Sequence, residues 1–184
     1  DYIYFAVKSM NRGIGSGDLT VGSTVFGDAY PAPHRISGKD DIQKYFFEGW
    51  TSDPYVKINI GSSANGVAAQ DNDDSYILIN TPYTDQKHIA TGRISLAGLD
   101  NPALIFWIYG FEFEAGDLNE TTVSVICDGK ETEVRKLTHT SLTANRWNRI
   151  EADLSEYAGK DIRVKLSISC KGVQYALYDN IYIG

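Results

Sequence analysis

The chain has 184 residues and a formal net charge of −7, and 42% of its residues are hydrophobic. This composition is too apolar for a disordered protein, and the acidic balance argues against nucleic acid and anionic membranes as partners. No apolar run approaches the roughly 20 residues of a membrane-spanning helix, so we expect no direct membrane insertion.

The first 27 residues predict two strands joined by a Gly-rich turn. In "YIYFAVKSM" the alternation places Ile3, Phe5 and Val7 on one face, and "GSGDLTVGSTVFG" predicts the second strand. Two strands are too few to fold alone. The segment lacks the basic start and the continuous apolar stretch of a signal peptide, so for an exported parent protein we expect the signal to lie outside this fragment.

A domain boundary is predicted near residues 28–40, where "DAYPAPHRISGKDD" holds two of the five prolines. Polar segments with proline and glycine are typical of linkers. We therefore expect two parts, residues 1–28 and residues 29–184.

Almost every later segment alternates with period two. "TTVSVICDG" places Val123 and Val125 opposite Ser124 and Ile126, and "IRVKLSISC" places Ile162, Val164, Leu166 and Ile168 inward. Turn signals such as "FGDAYPAP", "DNDD" and "CDGK" separate the segments, and only "DDIQKYFFEGW" and "DLSEYAG" could form short helices. Many short strands without amphipathic helices predict an all-β fold, a sandwich of two antiparallel sheets.

One strand, "ALIFWIYGFEF" (103–113), is apolar on both faces until Glu112. The favoured interpretation is a central strand that is covered on both sides. The alternative is that the face with Trp107, Tyr109 and Phe111 lines a ligand groove.

The last strand, "YALYDNIYIG", is interrupted by Asp179 and Asn180, two residue types that are depleted from strands. One interpretation is structural, with Asp179 accepting a backbone hydrogen bond. The favoured one is a structural calcium site, because calcium prefers carboxylate and carbonyl oxygens. The acidic loop "QDNDDS" offers Asp71, Asn72 and Asp74 as further ligands, although it does not match an EF-hand loop.

Catalytic constellations are absent from the sequence, so we expect no enzyme. His34, His88 and His139 are isolated, and neither H-E-x-x-H nor G-x-S-x-G occurs. Cys127 and Cys170 both lie in strand-like runs. A disulfide and two buried thiols both remain open, with a slight preference for the thiols.

The N-terminal segment resembles the last hairpin of a fibronectin type III domain. The likeness is an alternating strand that ends in Asn and is followed by Gly, here Phe5, Val7, Ser9, Asn11 and Gly13. It implies a fragment of a longer multidomain chain, with the neighbouring domains as partners.

Four stretches carry a second resemblance: "YPAPHRISGKDDIQKYFFEGW", "GRISLAGLDNPALIFWIYG", "NRWNRIEADLSEYAGKDIRVKLSIS" and "YALYDNIYIG". In this order they resemble the jelly-roll modules of Bacteroidetes surface proteins, of the cleaved-adhesin or choice-of-anchor type, which are similar to MAM domains. The resemblance implies a galactose-binding-like or MAM-like jelly roll whose first and last strands are neighbours. It also implies that Trp50 and Trp147 are core anchors and that Glu48 joins Asp179 at the calcium ion.

The function implied is a non-catalytic adhesion or carbohydrate-binding module of a secreted or cell-surface bacterial protein, with a glycan or a host or surface protein as partner. The alternative is a structural spacer or accessory domain of a secreted peptidase or glycoside hydrolase. Tyr55, Tyr83 and Tyr157 are the candidate ligand-binding residues, because flat rings with a polar tip suit sugar stacking.

Overall fold

The structure is a computed structural model that describes residues 19–21, 24–26, 29–32, 45–48, 56–60, 67–70, 75–81, 86–110, 120–169 and 174–184. Its strands there are β1 (Leu19–Val21), β2 (Thr24–Phe26), β3 (Tyr30–Pro31), β4 (Phe46–Glu48), β5 (Val56–Ile60), β6 (Ser75–Thr81), β7 (Gln86–Thr91), β8 (Ile94–Ser95), β9 (Ala103–Gly110), β10 (Glu120–Cys127), β11 (Lys130–Thr138), β12 (Arg146–Asp153), β13 (Asp161–Ser169) and β14 (Gln174–Ile183). Short 3-10 helices span His139–Ser141 and Ser155–Tyr157. Among these residues no helix has the length and apolarity that a membrane crossing requires.

In this part of the chain, β3 to β14 form two sheets. The five-stranded sheet has the order β12-β9-β14-β6-β5, and the larger sheet has the order β11-β10-β13-β7-β4. β8 joins the larger sheet by pairing with β13, and β3 joins it by pairing with β8. Within these sheets the pairings are antiparallel except that of β3 with β8. The predicted all-β, two-sheet class is confirmed.

The interior of the sandwich is built from alternate residues of these strands. The inward residues of β13 are the predicted ones, Ile162, Val164, Leu166 and Ile168, and each is at most 3% exposed. In the five-stranded sheet, the ring of Phe106 lies 6.0 Å from that of Tyr178. One apolar cluster contains side chains from both sheets. The strands are therefore stabilised by the packing of two inner faces, because each strand alone has too little apolar surface.

Asp179 and Asn180 interrupt β14 because the strand carries a β-bulge there. Asp179 pairs with Trp107 and Tyr182 pairs with Ile105, so three residue steps of β14 match two of β9. Asn180 has a φ of 52°, a left-handed conformation that Asn tolerates better than most residues. Its backbone N–H donates to Asp179 Oδ1 at 2.7 Å. The pair is thus a structural feature of the strand.

The strand order corrects one expectation from the resemblance. β14 lies between β9 and β6 in the five-stranded sheet, whereas β3 lies in the larger sheet, so the first and last strands of the jelly roll are not neighbours. The physical reason is burial on both faces. Residues 176–179 are all buried, which requires strands on both sides of β14 and cover above and below it.

The segment "GSGDLTVGSTVFG" does not form the single strand that was predicted. β1 and β2 are two separate strands that pair antiparallel with each other, with Val21 opposite Thr24. Residues 1–18 lie outside the described part, so the fibronectin-like hairpin and the domain division at residue 28 stay predictions.

The two predicted helical segments have different outcomes. In "DDIQKYFFEGW" Tyr45 is helical and Phe46–Glu48 form β4, while the other residues of the segment lie outside the described part. In "DLSEYAG" a 3-10 helix spans Ser155–Tyr157. Cys127 carries a free thiol, as preferred from the sequence. Burial raises the pKa of that thiol, and the neighbouring carboxylate of Asp128 raises it further. Cys170 lies outside the described residues.

The bulge predicts a specific response to substitution of Asn180. Asn180→Val should lower the free energy of unfolding by about 1–3 kcal/mol, because a β-branched residue is strained at positive φ. Asn180→Gly is the matched control, since Gly adopts this φ freely while losing the same side chain. Urea unfolding of both variants measures the difference, and equal losses would contradict the bulge.

Candidate functional site

The outer face of the five-stranded sheet carries three rows of side chains, because residues directly opposite on antiparallel strands share a face. The first row is Trp147, Tyr109, Leu177 and Leu78. The second row is Arg149, Trp107 and Asp179. The third row is Glu151, Ile105 and Tyr182.

The first row is covered by an apolar cluster that is separate from the interior of the sandwich. We call it the outer cluster: Val67, Tyr76, Leu78 and Leu177, with Ala69, Tyr109 and Trp147 packed against them. The ring of Trp147 stands nearly perpendicular to that of Tyr109, with centroids 5.5 Å apart. It meets the ring of Tyr76 edge-on at 6.0 Å. Such edge-to-face pairs add stability beyond the burial of area.

Residues 67–70, which we call the strap, lie over this cluster and are fixed by hydrogen bonds. The indole Nε1 of Trp147 donates to the carbonyl of Ala68 at 3.1 Å. The hydroxyl of Tyr76 donates to the carbonyl of Val67 at 3.2 Å. The strap therefore joins side chains of β12 and β6 across the sheet.

The far end of the strap is held by Asp179, which is only 1% exposed. Its Oδ2 accepts the backbone N–H of Gln70 at 2.7 Å, and its Oδ1 accepts that of Asn180. The Nδ2 of Asn180 donates to Gln70 Oε1 at 2.5 Å. A buried carboxylate is stable where such donors replace water, so Asp179 fixes both the bulge and the strap.

Beside the outer cluster lies a more open region, which we call the open patch: Trp107, Arg149, Glu151 and Tyr182. The side chains of Arg149 and Glu151 are 45% and 55% exposed, and Arg149 Nη1 donates to Glu151 Oε2 at 3.1 Å. Hydrogen bonding with Tyr182, and then with Glu151, raises the pKa of Arg149, so its guanidinium stays charged.

Trp107 lies between these polar groups in the middle of the patch. Its side chain is partly exposed. Within the residues that the structure describes, no hydrogen bond or ring contact engages its indole. A flat ring with N–H donors and carboxylate acceptors beside it can bind a ligand that has an apolar face and a rim of hydroxyl groups.

Of the three tyrosines predicted for ligand binding, the structure describes Tyr157. Tyr157 lies in the 3-10 helix Ser155–Tyr157, packs against the interior cluster and has Lys160 Nζ 5.8 Å from its ring centroid. Tyr55 and Tyr83 lie outside the described residues. The role of all three in binding stays a prediction.

The predicted calcium ligands are described only in part. Asp71, Asn72 and Asp74 lie outside the described residues. The backbone of Glu48 lies in β4 and pairs with Ala90 of the larger sheet, whereas Asp179 lies in the five-stranded sheet. In the described stretches no three His, Cys, Asp or Glu residues form a group that could hold a metal.

Trp147 was predicted as a core anchor, and the structure corrects this. It is partly buried in the outer cluster and does not belong to the interior. The signal was present in "RWNRIEAD", because Ile150 and Ala152 face inward, which puts Trp147 and Arg149 outward by alternation. Trp50 lies outside the described residues.

The two interpretations of strand 103–113 each hold for part of it. Ile105 is covered on the outer face, but Trp107 and Tyr109 are only partly buried. The alternative interpretation, a ligand face, thus fits Trp107 better. Phe111 lies outside the described residues.

Comparisons with known proteins identify the fold. No protein-family model and no curated protein sequence matches the chain. Among solved structures, the K1 cleaved adhesin domain of Lys-gingipain from Porphyromonas gingivalis W83 has a TM-score of 0.53 and 16% identity, over 72% of this chain and 85% of that chain.

Two carbohydrate-binding structures are also similar. A structure of carbohydrate-binding modules from the β-sandwich superfamily has a TM-score of 0.55 and 10% identity, over 84% of this chain and 63% of that one. The C-terminal family 22 carbohydrate-binding module of Clostridium thermocellum Xyn10B has a TM-score of 0.52 and 8% identity, over 86% and 96%. At such identities the likeness shows the fold, and it confirms the predicted jelly-roll sandwich.

Asp179 should be more important for stability than an exposed acidic residue. With chelator present, so that no bound cation contributes, Asp179→Ala should lower the free energy of unfolding by about 2–4 kcal/mol, because two buried N–H groups lose their acceptor. Asp161→Ala is the control, since the exposed pair of Asp161 with Arg93 should contribute less than about 1 kcal/mol. Similar losses in the two variants, measured by urea unfolding, would contradict the role of Asp179.

Proposed function

We propose that the chain is a non-catalytic carbohydrate-binding or adhesion module, and that the open patch is its glycan-binding surface. The observation that carries the proposal is the partly exposed indole of Trp107 between Arg149, Glu151 and Tyr182. The apolar face of a sugar ring stacks on the indole, and the surrounding groups hydrogen-bond its hydroxyls.

The charge of the patch favours a neutral glycan. Arg149 and Glu151 are hydrogen-bonded to each other, so one positive and one negative group largely cancel. Together they present N–H donors and carboxylate acceptors. Both are useful for binding a sugar hydroxyl, because a hydroxyl group both donates and accepts hydrogen bonds. A strongly anionic ligand would be repelled by the net charge of −7.

The comparisons support this proposal at the level of the fold. Two of the similar structures are named as carbohydrate-binding modules and one as a cleaved adhesin domain. We propose, as the sequence predicts, that the chain acts outside the cell or at its surface within a larger protein. The alternative, a spacer of a secreted peptidase or glycoside hydrolase, requires no ligand on the patch.

Substitution of Trp107 distinguishes a glycan-binding module from a spacer. Trp107→Ala should weaken glycan binding at least about fivefold, since one aromatic stacking platform contributes on the order of 1–3 kcal/mol. Tyr157→Ala is the matched control, an aromatic residue away from the patch, and should leave binding unchanged. A glycan array of neutral oligosaccharides, followed by calorimetry on each binder, measures both.

The opposite result would assign binding elsewhere. Loss of binding in Tyr157→Ala with retention in Trp107→Ala would favour the tyrosine predicted from sequence. No binding to any glycan by the wild type would favour the spacer.

We also propose a structural calcium ion at Asp179. The carboxylate fits such a ligand because it is buried, and carboxylate oxygens are the ligands that calcium prefers. The other residues that would hold the ion are those predicted from sequence: Glu48, Asp71, Asn72 and Asp74. Calcium would supply positive charge that stabilises the buried carboxylate of Asp179.

Chelation tests the calcium proposal. Excess chelator should lower the melting temperature by about 5–10 °C, and calcium at about a hundredfold over its Kd should restore it. The Asp161→Ala variant should keep this shift and Asp179→Ala should lose it, as measured by differential scanning fluorimetry. If the wild-type melt does not respond to chelator or calcium, the buried carboxylate is purely structural.

A further inference from the structure

We propose that the open patch binds the end of a glycan, one or two terminal sugar residues, and not the interior of a long chain. This inference rests on the proposed function and concerns the shape of the same site. The observation behind it is that two walls bound the patch on the outer face of the five-stranded sheet.

The first wall is the outer cluster. A glycan that runs along β9 from Trp107 towards Tyr109 meets the ring of Trp147, which stands on Tyr109 at 5.5 Å. Trp147 is held in this position by the carbonyl of Ala68 in the strap. Beyond it the first row is filled, since Leu177 and Leu78 are 0% and 2% exposed.

The second wall is the end of the strap. A glycan that runs across the sheet from Arg149 over Trp107 reaches the position of Asp179, the next residue in that row. Asp179 is covered, and Gln70 is bonded to it through its backbone N–H and to Asn180 through its side chain. Both walls therefore stand next to Trp107, one along the strand and one across the strands.

The space left on this side is small. Rows are two residues apart along a strand, about 7 Å, and neighbouring strands are about 5 Å apart. The open side chains occupy only the second and third rows, on β12, β9 and β14. A sugar stacked on Trp107 therefore has a wall on two sides. The hydrogen bond between Arg149 and Tyr182 crosses β9 above Ile105, so the chain attached to this sugar must leave towards the edge strand β12.

The dependence of affinity on glycan length tests this inference. The probes are β-1,4-linked galacto-, xylo- and manno-oligosaccharides of one to six units, measured by calorimetry with the wild-type protein. In the series that binds, affinity should stop rising at the disaccharide, with less than about a twofold further gain up to the hexasaccharide. A tenfold or greater gain between the disaccharide and the hexasaccharide would overturn end recognition and leave the proposed function intact.

Blocking the ends of the glycan gives a second measurement on the same protein. The trisaccharide of the binding series is compared in two forms, one capped at the non-reducing end and one conjugated at the reducing end. End recognition predicts that one of the two forms binds at least tenfold more weakly and that the other binds like the free trisaccharide. Equal binding of both forms overturns it.

Substitution of Gln70 tests whether the end of the strap, the second wall, limits the length of the bound glycan. Gln70→Gly removes the side chain that bonds to Asn180 and should increase the gain from disaccharide to hexasaccharide at least threefold, whereas Trp107→Ala should weaken all lengths together. An unchanged length profile in a folded Gln70→Gly variant contradicts the second wall. Absence of binding in all three series contradicts the proposed function and, with it, this inference.

Discussion

The buried carboxylate of Asp179 is the interaction on which the outer face of the five-stranded sheet depends. Burying a charge is costly unless hydrogen-bond donors replace the lost water. Both donors here exist because the backbone is irregular. The bulge at Asn180 leaves its amide outside the ladder, and the strap brings the amide of Gln70, 109 positions away in sequence, to the other oxygen. One side chain thus links a strand irregularity to a distant loop.

The position of the strap decides which part of the face is apolar and closed and which part is open. The strap provides the carbonyl that orients Trp147 and the apolar side chain of Val67, which packs with Leu78 and Leu177. Without it these leucines would face water. In the part of the chain that the structure describes, the second row and the β12 end of the third row lack such cover, and there the sequence places Arg149, Glu151 and Trp107. The open patch is therefore a consequence of where the strap ends.

The sequence predicted the inner faces well, because period-two alternation is a local property and each inward residue of β13 follows from its neighbours. It could not predict the order of strands, since pairing joins residues that are distant in sequence. The bulge adds a second difficulty: a one-residue shift changes which face each later residue occupies, and the sequence shows only an unexplained Asp-Asn pair. The sequence marks Asp179 as unusual for a strand. Its role as hydrogen-bond acceptor for Gln70 depends on a contact between residues 109 positions apart, which no local sequence pattern reveals. Trp107 and Trp147 were both visible as large residues, yet alternation alone does not reveal which of them the strap covers.

The two roles of Asp179, as acceptor for the strap and as proposed cation ligand, both use the oxygens of one buried carboxylate. A cation held by Asp179 would act on the strap and the bulge, because both are bonded to that carboxylate. Its effect on a glycan would therefore be indirect, through the rigidity of the wall beside Trp107. Stacking on Trp107 depends on β9 alone, whose inner residues Phe106 and Ile108 are fixed in the core. Loss of the cation would accordingly relax the limit on glycan length while the stacking interaction remains, because the two depend on different parts of the sheet.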